Sequence, residues 1–194
     1  MVEISGKYKI GTRRFGSINW IGAWTLYKKE VLRFLIVWIQ TLFSPLITSL
    51  LFLSVLSLAI GNERGDVLGV PFIVFLAPGL IAMQIIQQAF SHSSSSFMIG
   101  KIQGNIVDLI YAPLSAGEVT LAVTLASVTR SVLIAIISLL VFYLFIDLEI
   151  KNFVTLIVFT LLSAFSLGAL GIIAGLWAEK FDHMATVTNF IIIP

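Results

Sequence analysis

Apolar residues form long runs along this chain, and polar residues gather in short islands between them. Residues 34–60, 72–97, 118–146 and 153–177 each exceed the roughly 20 helical residues that cross a hydrocarbon layer of about 30 Å. They predict four spanning helices. A fifth apolar run begins at 185 and reaches Pro194 after about ten residues, too few to cross, so a fifth span is expected to be cut short. Polar positions inside the runs are not scattered. In the first, Gln40, Ser44 and Thr48 recur every four residues, and Pro45 is expected to kink the helix there. In the second, Gln84, Gln87, Gln88, Ser91, His92 and Ser95 fall on one arc of about 140° at 100° per residue. Such a stripe does not face lipid cheaply, so it lines either a transport path or a helix–helix contact.

The third run carries Thr120, Thr124, Ser127, Ser131 and Ser138 on a small-polar face suited to close packing, with Arg130 as the one basic residue well inside it. Arg130 is expected to snorkel toward headgroups, with pairing inside the bundle as the alternative. The fourth has Gly168, Gly171 and Gly175 near its end, the last two forming a GxxxG pair.

Three shorter segments have different patterns. Residues 1–17 are polar and basic, a flexible N-terminus. Residues 18–33 place Trp20, Trp24 and Tyr27 at spacings of four and three before Lys28, Lys29 and Arg33, which predicts an amphipathic helix at the membrane surface. Residues 98–113 put Ile99, Ile102, Ile106, Leu109 and Ile110 on one side and Lys101, Gln103, Asn105 and Asp108 on the other, and Pro113 ends the segment. Gly100 and Gly104 lower its helix propensity, so it needs a surface to dock on.

Composition agrees with the pattern: 58% of the 194 residues are hydrophobic, 11% are charged and mean hydropathy is +1.04. Soluble domains carry about 25% charged residues. The net charge of +2 gives no basis for nucleic-acid binding. Seven of the 12 basic residues (Lys7, Lys9, Arg13, Arg14, Lys28, Lys29, Arg33) precede the first run, so the positive-inside rule places the N-terminus in the cytoplasm. The absence of cysteine excludes disulfides and thiolate chemistry. No phosphate-binding G-x-x-x-x-G-K-[ST], no G-x-S-x-G elbow and no H-E-x-x-H is present, and His92 and His183 stand apart. Nothing supports catalytic, cofactor-binding or metal-binding residues.

The blocks FLAPGLIAMQ at 75–84, SSF at 95–97, KIQGNIVDLIYAPLSAGE at 101–118 and NFIIIP at 189–194 resemble those of the ABC-2 type permeases, the membrane subunits of bacterial ATP-driven exporters. The family's middle block has two acidic residues before Leu. This chain keeps Asp108, Leu109, Ala112, Pro113 and Leu114 but has Val107 at the first acidic position. The resemblance implies an all-α polytopic membrane protein of six transmembrane helices, about five of them present here. It further implies a bacterial inner-membrane location, a permease homodimer, and a separate ATPase subunit that binds ATP and magnesium. The coupling helix of that family matches this chain's amphipathic segment, which makes Lys101, Ile102, Ile106, Asp108, Leu109, Pro113 and Leu114 the expected contact with the ATPase. The alternative reading is a membrane scaffold or assembly protein without transport activity, which composition and topology fit equally well.

Overall fold

In a computed structural model of the chain, residues 18–60, 65–67, 69–146, 148, 150 and 152–192 are described; the expected flexible segment 1–17 and the last two residues of the NFIIIP block lie outside them. The helices in order are α1 (Trp20–Ile36), α2 (Ser44–Ile60), α3 (Phe72–Ile102), α4 (Ile106–Tyr111), α5 (Ala116–Phe145), α6 (Phe153–Trp177) and α7 (Phe181–Val187). Among the described residues four stretches are long and apolar enough to span a membrane: Ile39–Ala59, Phe72–Ile102, Ala116–Phe145 and Phe153–Trp177.

Backbone chemistry explains where the ends fall. Pro71 stands at the N-cap of α3, where its missing amide proton costs nothing. Ser115 opens α5 with a capping box, its hydroxyl accepting from the Glu118 amide while the Glu118 carboxylate accepts from Ser115. Asn152 caps α6 by accepting from the amides of Val154 and Thr155.

Three boundaries differ from the sequence expectation. The first span breaks at 37–43, ahead of Pro45. Its residues 39–43 form a π turn, and the Thr41 hydroxyl donates to the carbonyls of Phe34 and Val37. Pro45 has no amide proton to return to the preceding turn, so the irregularity collects on its N-terminal side and Pro45 itself sits in the first turn of α2. The amphipathic segment expected as one helix over 98–113 is divided. α3 runs on to Ile102, Gly104 takes a left-handed φ of 76°, and α4 starts afresh at Ile106. Glycine adopts that conformation without a Cβ penalty, so the chain turns there. The run expected to start at 185 starts as α7 at Phe181 and passes into a second π turn, Thr188–Ile192.

α3 is the centre of the bundle, with α2, α5 and α6 around it. One apolar cluster joins Leu53 of α2, Leu80, Ile81 and Ile85 of α3, Phe142 of α5 and Ala164 of α6. A second, toward the α4 end, joins Leu26 of α1, Phe97 of α3, Ala122 and Val123 of α5 and Ile172 of α6. Between them α3, α5 and α6 approach so closely that small residues are required. A Cβ on Gly168 would lie 2.3 Å from Ser127 Oγ, on Gly171 2.5 Å from the Phe90 carbonyl oxygen, and on Gly175 2.7 Å from the Ser94 carbonyl oxygen. The expected small-polar face of α5 is buried at Thr124, Ser127, Ser131 and Ser138, whereas Thr120, one turn nearer the helix start, is exposed.

Candidate functional site

Two polar regions stand out, one at the end of the bundle that carries α4 and one along the middle of α3. At the first, α4 and the helix ends beside it are fastened from several sides. Ile106, Leu109 and Leu114 pack inward against the cluster around Leu26 and Phe97. Lys101 reaches across to α6, where its ammonium donates to the carbonyls of Leu176 and Ala178, groups left open by the end of that helix. Asn19, the N-cap of α1, donates through its side chain to the Pro113 carbonyl (3.2 Å) and through its backbone amide to Glu118. Glu118 therefore clasps the starts of two helices, accepting also from the Ser115 amide at 2.6 Å.

Of the seven residues expected to meet an ATPase, Ile106, Leu109 and Leu114 thus face the bundle, at least in part, and Lys101 is engaged with α6. Ile102, Asp108 and Pro113 are exposed. The outward surface also includes Val107, Ile110 and Tyr111, the last two 72% and 84% exposed. The sequence pattern did not separate these faces, because the turn at Gly104 resets the phase between Ile102 and Ile106.

Glu118→Gln keeps the shape but removes one charged acceptor from a buried clasp. The expected cost is about 2 kcal/mol, within the range for hydrogen bonds to charged groups, measured as a lower unfolding temperature of the purified protein in detergent. The signal for this clasp was present in the sequence as Ser115-x-x-Glu118 before an apolar run.

Along α3, the expected polar stripe divides by depth. Gln84 is buried and fully engaged: its Nε2 donates to the Pro45 carbonyl (3.0 Å) and its Oε1 accepts from Ser138 (2.8 Å). Gln88, half-buried, accepts at Oε1 from Arg130 Nη2 at 2.6 Å, so Arg130 pairs inside the bundle and does not snorkel. Ser131 donates to the Ile85 carbonyl at 3.2 Å. His92 is fully buried, its ring edge-on to Phe34 with centroids 5.6 Å apart, and both ring nitrogens are buried without a hydrogen bond. Gln87 and Ser95 are half-buried and Ser91 is exposed. The stripe is therefore uneven in burial and in hydrogen bonding along its length.

An unforeseen polar contact joins α1 to α3. The Glu30 carboxylate accepts from Ser96 at 2.8 Å and forms an ion pair with Arg33 at 2.9 Å, while Arg33 also donates to the His92 carbonyl. Glu30 was hidden within KKEVLR, yet it stands four residues after Leu26 and four before Phe34, the other buried positions of α1.

The sequence has relatives among known proteins. The sequence model of the ABC-2 type transporter family matches residues 22–194. The chain belongs to the ABC-2 type transporter family. Curated relatives include the inner membrane transport permease YadH of Escherichia coli (strain K12), 29% identical over 177 residues, which are 91% of this chain and 69% of the relative. The proteins of the same description from Escherichia coli O157:H7 and from Shigella flexneri match to the same extent. No solved structure gives a significant match. As an ABC-2 family member with four apolar spans, the chain is a multi-pass inner-membrane permease of an ABC transporter.

Proposed function

We propose that the chain is the membrane subunit of an exporter in which a separate ATPase subunit acts on α4, and that two permease copies stand side by side around the cargo path. The observation that carries this reading is the two-sided character of α4. Its inner side is packed on the bundle, and its outer side offers Ile110 and Tyr111 to the aqueous end. An exposed aromatic beside aliphatic side chains is the composition of an interface anchor. With the N-terminus in the cytoplasm, this end of the bundle faces the ATPase. A push on α4 then passes through Ile106 and Leu109 into the cluster shared by α1, α3, α5 and α6, and through the Pro113 carbonyl to Asn19, whose amide Glu118 holds at the start of α5. ATP and magnesium belong to the partner; this chain supplies the lever and two packing states. Among its described side chains α2 buries only Leu46, Ser49 and Leu53, and its remaining described surface suits a second copy.

The test is co-purification of the ATPase with the complete protein from its native membrane. Ile110→Asp combined with Tyr111→Ser is expected to weaken the complex at least about tenfold, the loss of two interface anchors of about 1 kcal/mol or more each. The unfolding temperature of the permease itself should be unchanged, because neither side chain is packed. An unaltered complex, or a stable assembly that never contains an ATPase, would refute the reading.

A further inference from the structure

Building on the exporter reading, we infer that α2 and α3 line an open-sided site, halfway along the spans, for an uncharged group rich in hydroxyls. Two polar lines, one on each helix, meet around a cavity of about 290 Å³. α2 contributes Ser44, Thr48 and Ser49, and α3 contributes Gln84, Gln87 and Gln88. Gln87 is the middle residue of the 31 in α3, and Thr48 is the tenth of 21 in the span Ile39–Ala59. Polar side chains at that depth cost free energy unless protein, water or a ligand meets them.

The hydrogen bonds already made define what the cavity offers. Gln84 is held at both ends of its amide, by Pro45 and Ser138, and serves as wall. Arg130 donates to Gln88 Oε1, which fixes the amide so that its NH₂ group remains a donor. Gln87 has no hydrogen-bond partner among the described residues and is half-buried, so its amide supplies a donor and an acceptor. The protons of Thr48 and Ser49 go to their own helix, to the carbonyls of Ser44 and Leu46, leaving their oxygen lone pairs as acceptors. The cavity thus mixes donors and acceptors, as a hydroxylated ligand does, and Phe52 and Met83 give it an apolar wall for the ligand's carbon face. No carboxylate lines it, and the Arg130 charge stands behind Gln88, so a cation is disfavoured. Arg130 has its nearest hydrogen-bond partner in Gln88 and is not itself part of the lining, so a fixed anion gains no direct ion pair.

These 194 residues contain no cysteine, so a thiol introduced among them is new, and any cysteine elsewhere in the expressed protein is replaced by serine. Single substitutions Thr48→Cys and Gln87→Cys, with Leu162→Cys on the exposed middle of α6 as reference, are placed in the complete protein in membrane vesicles. Each is treated with a membrane-impermeant thiosulfonate. Cys at 48 and 87 should react and Cys at 162 should not. Methyl glucoside at about twice its Kd should slow labelling at 87 about threefold, as the free fraction falls to one third. Choline and inorganic phosphate should leave the rate unchanged. Adding Gln88→Glu, which keeps the contact to Arg130 but removes the amide donor, should abolish the protection. Labelling no faster at 48 and 87 than at 162 would mean the cavity is filled by protein and overturns the site. Labelling without glucoside protection, or protection by choline or phosphate instead, overturns the ligand class. These readouts need no ATPase, so protection in a protein that binds no ATPase removes the exporter reading and keeps the site.

Discussion

Gly171→Ala is expected to destabilise the bundle by about 3 kcal/mol, at the upper end of what overpacking a core costs, although alanine is the better helix former by about 1 kcal/mol. The decisive quantity is what the added methyl meets. At Gly171 it is the carbonyl oxygen of Phe90, 2.5 Å away, with Ser93 Cβ at 3.1 Å. That carbonyl belongs to the middle of α3 and already accepts from the Ser94 hydroxyl, so relief requires moving one helix away from the other. Gly175→Ala meets backbone as well, at 2.7 Å, and should cost nearly as much. Gly168→Ala meets the Ser127 hydroxyl, a rotatable group, and should cost less despite the shorter 2.3 Å distance. Gly117→Ala, whose methyl meets nothing within 4 Å, should stay within about 0.5 kcal/mol of the parent. Thermal unfolding of the four variants in detergent decides it. Gains of about 1 kcal/mol at all four would mean that helix propensity, and not close approach, decides the effect.

The glycine spacing made this contact partly legible in the sequence, since GxxxG is a close-approach signal. It did not say which helix approaches, and chance pairs are common in membrane helices. The same limit runs through the rest of the fold. Spans were readable because a bilayer demands about 20 apolar residues whatever the tertiary packing. The polar stripe of α3 was readable as a stripe, but its division into an engaged Gln84, an Arg130-bound Gln88 and an enclosed His92 depends on partners from other helices. The 98–113 segment was legible as amphipathic and misjudged in detail, because one left-handed residue at Gly104 rotates everything after it. Ile106 packs on the bundle side, and Tyr111 is the most exposed of the large apolar side chains of α4. Arg130 shows the competition plainly: snorkelling and internal pairing are both open to an isolated arginine, and an amide at 2.6 Å on the neighbouring helix settled it.

Glu30→Leu is expected to be the most damaging change in α1, at about 3 kcal/mol. The carboxylate side chain is only 4% exposed, whereas that of Arg33 is 29% exposed. Removing one partner of a buried pair commonly costs about 3–5 kcal/mol, because the other charge is left without compensation. The lower end applies here, since Arg33 can turn partly toward water and retains its bond to the His92 carbonyl. Ser96 also loses its acceptor at 2.8 Å. Two further variants separate charge from packing. Glu30→Gln keeps an oxygen for Ser96 and should cost about half as much, as a neutral bond replaces a charged one. Glu30→Leu with Arg33→Leu removes both charges and should recover most of the loss, as hydrophobic replacement of a whole ion pair does elsewhere. If the double variant unfolds as easily as Glu30→Leu alone, the anchor between α1 and α3 is the Ser96 hydrogen bond and not the ion pair. If it recovers stability yet abolishes the export proposed above, the charges serve function and not the stability of the fold.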